Sequence, residues 1–186
     1  MSINIVVGLS GVGKSTVLEE AMLLSDKDYK LVNYGDKMME TAKEHGVNRD
    51  EMKELDVETY REIQKDAADK ILEVSQEDDL IVDTHSAIKT PHGYIPGLPR
   101  SSIEEMKPSK IIMLTASAEE IWERTQEDGD RDREHESQED IQEYLDIAQE
   151  MASADAVLTG AYMKIIENKD GRAEKAAEEL VKTLEA

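Results

Sequence analysis

The chain has 186 residues, with 43 acidic against 22 basic side chains, a formal net charge of −21, and neither cysteine nor phenylalanine. That length suits one domain, residues 1–186, with a full hydrophobic core. The missing cysteines exclude disulfides, thiolate catalysis and cysteine-ligated metals. So acidic a surface repels nucleic acid, and no apolar run is long enough to span a membrane. The N-terminus shows no basic stretch and no cleavage site, so a cytoplasmic protein is expected. The acid excess also fits adaptation to high salt, where counterions screen self-repulsion.

Residues 3–7 are a short run rich in β-branched side chains, which predicts a buried strand. A glycine-rich turn follows. Val17, Leu18, Ala21, Met22 and Leu24 then recur at helical spacing. Residues 29–34 predict a second strand. Gly35-Asp36 opens a helix that closes near Gly46. Asp56 is placed to cap a long helix over 57–74, whose apolar positions include Tyr60, Ile63, Ala67, Ala68, Ile71 and Leu72.

Residues 80–83 predict the next buried strand. A loop holding Pro91, Pro96 and Pro99 follows, then a strand over 111–114 and a helix over 118–127. Residues 128–139 are almost wholly polar. The remaining expectations are a helix over 137–152, a strand over 162–166 and a closing helix over 171–184. Strands alternating with helices imply an α/β fold with a parallel sheet and right-handed crossovers.

Between the first strand and first helix lies Gly8-Leu9-Ser10-Gly11-Val12-Gly13-Lys14-Ser15, a complete G-x-x-x-x-G-K-[ST] pattern. Glycines let successive N–H groups turn toward phosphate oxygens. The helix that follows presents unpaired N–H groups and a positive dipole end to the same anion. Lys14, in a loop expected to face solvent, supplies a point charge for the β and γ phosphates. The Ser15 hydroxyl is placed for Mg²⁺. Asp83, ending a buried strand, is a second metal candidate, reached through water. His85 is read as a substrate-site or structural residue, because transfer to a phosphate acceptor needs no base.

Arg124, Arg131 and Arg133 crowd one short segment of an otherwise acidic chain. Guanidinium forks pair bidentately with phosphate oxygens and stabilise charge on a migrating phosphoryl group. Ion pairing with the neighbouring Asp and Glu is the plainer alternative. A polar segment between two helices also suits a lid that detaches from the core.

With these pieces placed, the sequence resembles the archaeal-type adenylate kinases over nearly the whole chain. The carrying stretches are Gly8 through Thr16, Val32-Asn33-Tyr34-Gly35-Asp36, Arg49-Asp50-Glu51-Met52-Lys53-Glu54-Leu55 and Val82-Asp83-Thr84-His85. To these are added Ile88-Lys89-Thr90-Pro91-His92-Gly93-Tyr94-Ile95-Pro96-Gly97-Leu98-Pro99, the segment ending at Arg133, and Val157-Leu158-Thr159-Gly160. The resemblance implies a three-layer α/β/α P-loop NTPase fold with a five-stranded parallel sheet. It adds a short lid near 128–139 and a small monophosphate-binding region near 33–61. It implies the reaction Mg·ATP + AMP ⇌ Mg·ADP + ADP and a homotrimer. ATP would lie on Gly8, Leu9, Ser10, Gly11, Val12, Gly13, Lys14, Ser15 and Thr16. Lys14, Arg124, Arg131 and Arg133 would surround the transferring group. Tyr34, Gly35, Arg49, Lys53, Arg61, His85 and Lys89 would hold AMP. Lys stands at 53 and 89 where relatives often carry Arg; an ammonium neutralises a phosphate without forking onto it. From the residues alone, two other functions stay open: a P-loop kinase for another acceptor, such as shikimate or a sugar acid, and a non-catalytic nucleotide-binding module.

Overall fold

The structure, a computed structural model, describes residues 1–48, 51–53, 55–90, 92–127 and 137–186. Arg49, Arg131, Arg133 and most of the expected lid lie outside these residues.

A five-stranded, wholly parallel sheet forms the centre, in the order β2-β3-β1-β6-β7. β1 (Ile3–Val7) is buried along its whole length, and β3 (Asp79–Thr84) and β6 (Lys110–Thr115) flank it. All three are dominated by buried apolar residues, with buried polar exceptions such as Asn4 and Asp83, because helices cover both faces of a parallel sheet. The edge strands, β2 (Tyr29–Asn33) and β7 (Tyr162–Glu167), are more polar and half exposed. The register sets Val6 beside Asp83 and Val7 beside Met113, so the phosphate-loop pattern leaves the central strand between two neighbours.

Seven α-helices are described: α1 (Lys14–Leu24), α2 (Tyr34–Glu44), α3 (Val57–Val74), α4 (Arg100–Met106), α5 (Ala118–Glu127), α6 (Gln138–Thr159) and α7 (Ala173–Glu185). α1 packs on α7, while α2 to α6 pack as a chain of neighbours. α3 starts where the sequence places it, because the Asp56 carboxylate accepts from the N–H groups of Glu58 and Thr59 at 3.0 Å.

Three expectations change. Tyr34 does not end β2; it opens α2, because the Asn33 side chain accepts from Asp36 N–H at 3.0 Å and caps the helix one residue earlier. α6 runs past 152 to Thr159, since Ala152, Asp155 and Ala156 are buried and its stop is Gly160, at φ 71. The proline-rich stretch is not simply a loop. It folds into an antiparallel hairpin, β4 (Ala87–Thr90) with β5 (Gly93–Pro96), and then α4. Prolines suit this, because Pro96 ends a strand of a two-stranded ribbon and Pro99 immediately precedes a helix.

The hairpin rests on α6. Tyr144 Oη donates to the Ala87 carbonyl at 3.0 Å and accepts from Lys89 N–H at 3.3 Å, and the rings of Tyr94 and Tyr144 lie 5.2 Å apart. At its foot, Gly97 N–H donates to the Ser86 carbonyl at 2.9 Å. A Cβ on Gly97 would stand 1.9 Å from the His85 carbonyl oxygen, so only glycine fits.

Candidate active site

The loop from Gly8 to Gly13 leaves the C-terminal end of β1. Gly8 lies so close to β6 that a Cβ would meet the Leu114 carbonyl oxygen at 2.8 Å. Gly11 (φ 86) and Gly13 (φ 80) adopt left-handed backbone that other residues resist. Gly13 is the N-cap of α1 and makes no side-chain cap, so the first turn keeps open N–H groups. Leu9 and Val12 are buried and anchor the loop; Ser10 is half-buried, and Ser15 and Thr16 are exposed at the start of α1.

Lys14 departs from the expectation that it faces solvent. Its side chain is only 10% exposed, and its ammonium pairs directly with the Asp83 carboxylate. The other Asp83 oxygen accepts from Asn33 Nδ2 at 2.9 Å. The start of α1 and the ends of β2 and β3 are therefore joined through Lys14, Asn33 and Asp83. Ser15 and Asp83 offer hard oxygen donors of the kind Mg²⁺ takes. No group of three or more His, Cys, Asp or Glu that could hold a metal ion gathers among the described residues. That donor set fits a cation whose remaining ligands are water and phosphate oxygens rather than an all-protein cage.

His85 comes immediately after β3 and is exposed. Its pKa lies below the ordinary imidazole value, first because surrounding protein displaces water, then because of the Lys14 ammonium; Asp83 pulls the other way. A neutral imidazole at neutral pH suits a hydrogen-bonding role better than a charged contact with phosphate.

On the other side, Arg124 of α5 reaches the back of the loop. It donates from Nη1 to the Gly11 carbonyl at 3.4 Å and from Nη2 to the Asn168 carbonyl at 3.0 Å, and it pairs with Asp170 through Nε at 2.8 Å. It also lies 3.9 Å from the Glu120 carboxylate one turn earlier on α5, so its described contacts go to the loop backbone, the β7–α7 connection and its own helix.

The residues expected around AMP are scattered in character. Tyr34 is buried, its hydroxyl donates to the Gln64 carbonyl at 2.8 Å, and burial raises its pKa. Gly35 and Arg61 are exposed, and Lys89 forms an ion pair with Asp140 across the hairpin–α6 contact. Lys53 ends a short 3₁₀ turn, Glu51–Lys53. Sequence reasoning passed over Asn168 and Asp170, which lie in a polar stretch with no motif to mark them. Only the fold brings that stretch against the phosphate loop.

Comparison with known proteins agrees with this geometry. A protein family described as an AAA domain matches residues 7–142. The chain is 43% identical to adenylate kinase from Methanothermobacter thermautotrophicus, covering 100% of both chains. It is 44% identical to the Methanocaldococcus jannaschii enzyme of the same name, over 97% of this chain and 96% of that one. The chain belongs to the archaeal-type adenylate kinase family. A third adenylate kinase, from Pyrococcus furiosus, is 41% identical over 97% of this chain and 94% of its own. Shikimate kinase from Bacteroides thetaiotaomicron superposes with a TM-score of 0.60 over 100% and 99% of the two chains. At 14% identity that likeness speaks to the P-loop kinase fold alone, shared by kinases of quite different acceptors.

Proposed function

We propose that the protein is an adenylate kinase, transferring the γ-phosphoryl group of Mg·ATP reversibly to AMP to give two ADP. The observation that carries this is its identity of 41–44% to curated adenylate kinases over nearly its full length. Gly8 to Thr16 hold the ATP phosphates, with Lys14 leaving Asp83 to meet the β and γ oxygens. Ser15, and Asp83 through water, hold Mg²⁺, which would neutralise charge on the phosphates when bound. On the acceptor side, Gly35, Arg49, Lys53, Arg61, His85 and Lys89 surround AMP, while Tyr34 supports that wall from beneath. Phosphoryl transfer needs little covalent help, so positioning and charge supply most of the rate. Screening AMP, other nucleoside monophosphates, shikimate and sugar acids for ADP formation tests the reading. Robust turnover with AMP alone is expected, and faster turnover with a non-nucleotide acceptor would overturn it.

Arg131 and Arg133 belong to a lid that closes when both nucleotides are bound and excludes water as an acceptor. Arg131→Ala or Arg133→Ala should lower kcat by on the order of 10²-fold or more, and Lys should rescue only in part. Arg124, the helix arginine, joins Arg131 and Arg133 around the transferring phosphoryl group. The reading also takes the protein to act in the cytoplasm as a homotrimer. Light scattering at micromolar concentration checks the trimer, and a monomer would refute it. The 43 acidic against 22 basic side chains support a high-salt habitat. Tm should then rise as KCl approaches molar levels, because screening relieves self-repulsion.

A further inference from the structure

We propose that Asn168 is a positioning residue for ATP: its side-chain amide fixes the Val12–Gly13 peptide so that the Gly13 N–H faces the phosphates. The proposal rests on reading Gly8 to Thr16 as the ATP-phosphate loop.

Asn168 follows β7 and is 5% exposed. Its own backbone is pinned on both sides. Its N–H donates to the Thr115 carbonyl at 2.7 Å, and its carbonyl accepts from Arg124 at 3.0 Å. Two residues on, Asp170 N–H donates to the Glu120 carboxylate at 2.9 Å, which ties the same turn to α5. A side chain carried on so fixed a platform can dictate the orientation of what it touches. It touches the loop at one point, where Nδ2 donates to the Val12 carbonyl at 2.8 Å.

The peptide unit is planar and trans, so the Val12 carbonyl and the Gly13 N–H point in opposite directions. Holding the carbonyl outward against Asn168 turns the N–H away from it. That N–H has no hydrogen-bond partner among the described residues. Rotation of this peptide would direct a carbonyl oxygen toward the phosphate oxygens in place of a donor, and with glycine at 13 the backbone resists little. The Asn168 amide supplies the resistance.

The fit leaves little choice of residue. A Cβ on Gly13 would lie 2.5 Å from Nδ2, so the amide occupies the space a side chain would need. Aspartate has the same shape but only acceptors, which would repel the Val12 carbonyl. Leucine has a similar size and no donor at all.

The test compares wild type, Asn168→Asp and Asn168→Leu as the full chain. Kd for ATP and for AMP are measured separately by titration calorimetry, alongside Tm, KM and kcat. Both variants should weaken ATP by on the order of tenfold, the loss of about one oriented hydrogen bond. AMP affinity should hold within about twofold. A role limited to tethering the β7–α7 turn would lower Tm and leave the ratio of the two affinities unchanged, and that result overturns the proposal. So does a folded pair of variants that bind ATP like wild type. If the wild type itself fails to bind ATP, the reading of the loop falls, and the assignment with it. The wild type offers a check that needs no variant: its Gly13 amide resonance should shift on addition of ATP, and an unmoved resonance refutes the proposal.

Discussion

Two regions of the molecule are held in different ways. At one, glycines at 8, 11 and 13 sit where a side chain would collide or the backbone would be strained, and the buried Asn168 reaches behind the loop. Close fit and buried hydrogen bonds resist both salt and thermal motion. At the other, the β4–β5 hairpin leans on α6 through two tyrosines and the Lys89–Asp140 ion pair, whose side chains are 37% and 20% exposed. Pairs that face water contribute little and weaken as ionic strength rises. The difference lies in the kind of contact: close fit and buried hydrogen bonds around the loop, a partly exposed ion pair and a pair of tyrosine rings under the hairpin.

The contrast is sharpest at Lys14. Lys14→Ala should reduce phosphoryl transfer by on the order of 10³-fold, since it removes charge that the migrating group meets. It also leaves Asp83 with Asn33 as its remaining described partner, so a modest fall in Tm is expected as well. A variant with near-normal turnover would show that the loop works by shape alone.

The hairpin has one rigid point of its own. Gly97→Ala forces a Cβ onto the His85 carbonyl oxygen and should cost about 3 kcal/mol, a fall of roughly 6–12 °C in Tm. Thermal unfolding indistinguishable from wild type would mean that even this foot can shift.

An effect that appears only as pH rises concerns the helix under the hairpin. Asp155 of α6 is buried, and desolvation raises its pKa from 3.8 to about 7. The folded state therefore holds its proton more tightly than the unfolded state. Stability present below about pH 4 is lost as pH rises toward about 7. Asp155→Asn should match wild type in Tm at pH 4 and exceed it at pH 8. A gap that does not change with pH would remove Asp155 as the cause.

Much of this was legible in the sequence for physical reasons. The central strands are mainly apolar, and the phosphate loop is a local pattern whose glycines, lysine and serine each have a physical reason. Asp56 announced the start of α3 with a side chain that can cap only there. What escaped reading depends on partners distant in sequence. Nothing near Ala87 signals that Tyr144 will receive the hairpin. The burial of Tyr34 is set by α3, through Gln64. Nothing local marks Asn168 either, because the peptide it holds lies at the other end of the chain.

The sheet register carries a further consequence, for where this chain can change length. Asn33, Asp83, Gly8, Thr115 and Asn168 stand at or just beyond the C-terminal ends of β2, β3, β1, β6 and β7. Contacts run from one strand end to the next: Asn33 to Asp83, Asp83 to Lys14, Gly8 against Leu114, and Asn168 to Thr115 and back to Val12. One inserted residue within any of these strands turns its end side chain to the opposite face and cuts that row. The turns at the far end of the sheet, such as 26–28 before β2 and 75–78 before β3, carry no part of it. Insertions and deletions over generations should therefore collect at that far rim, while the spacing of the near rim stays fixed.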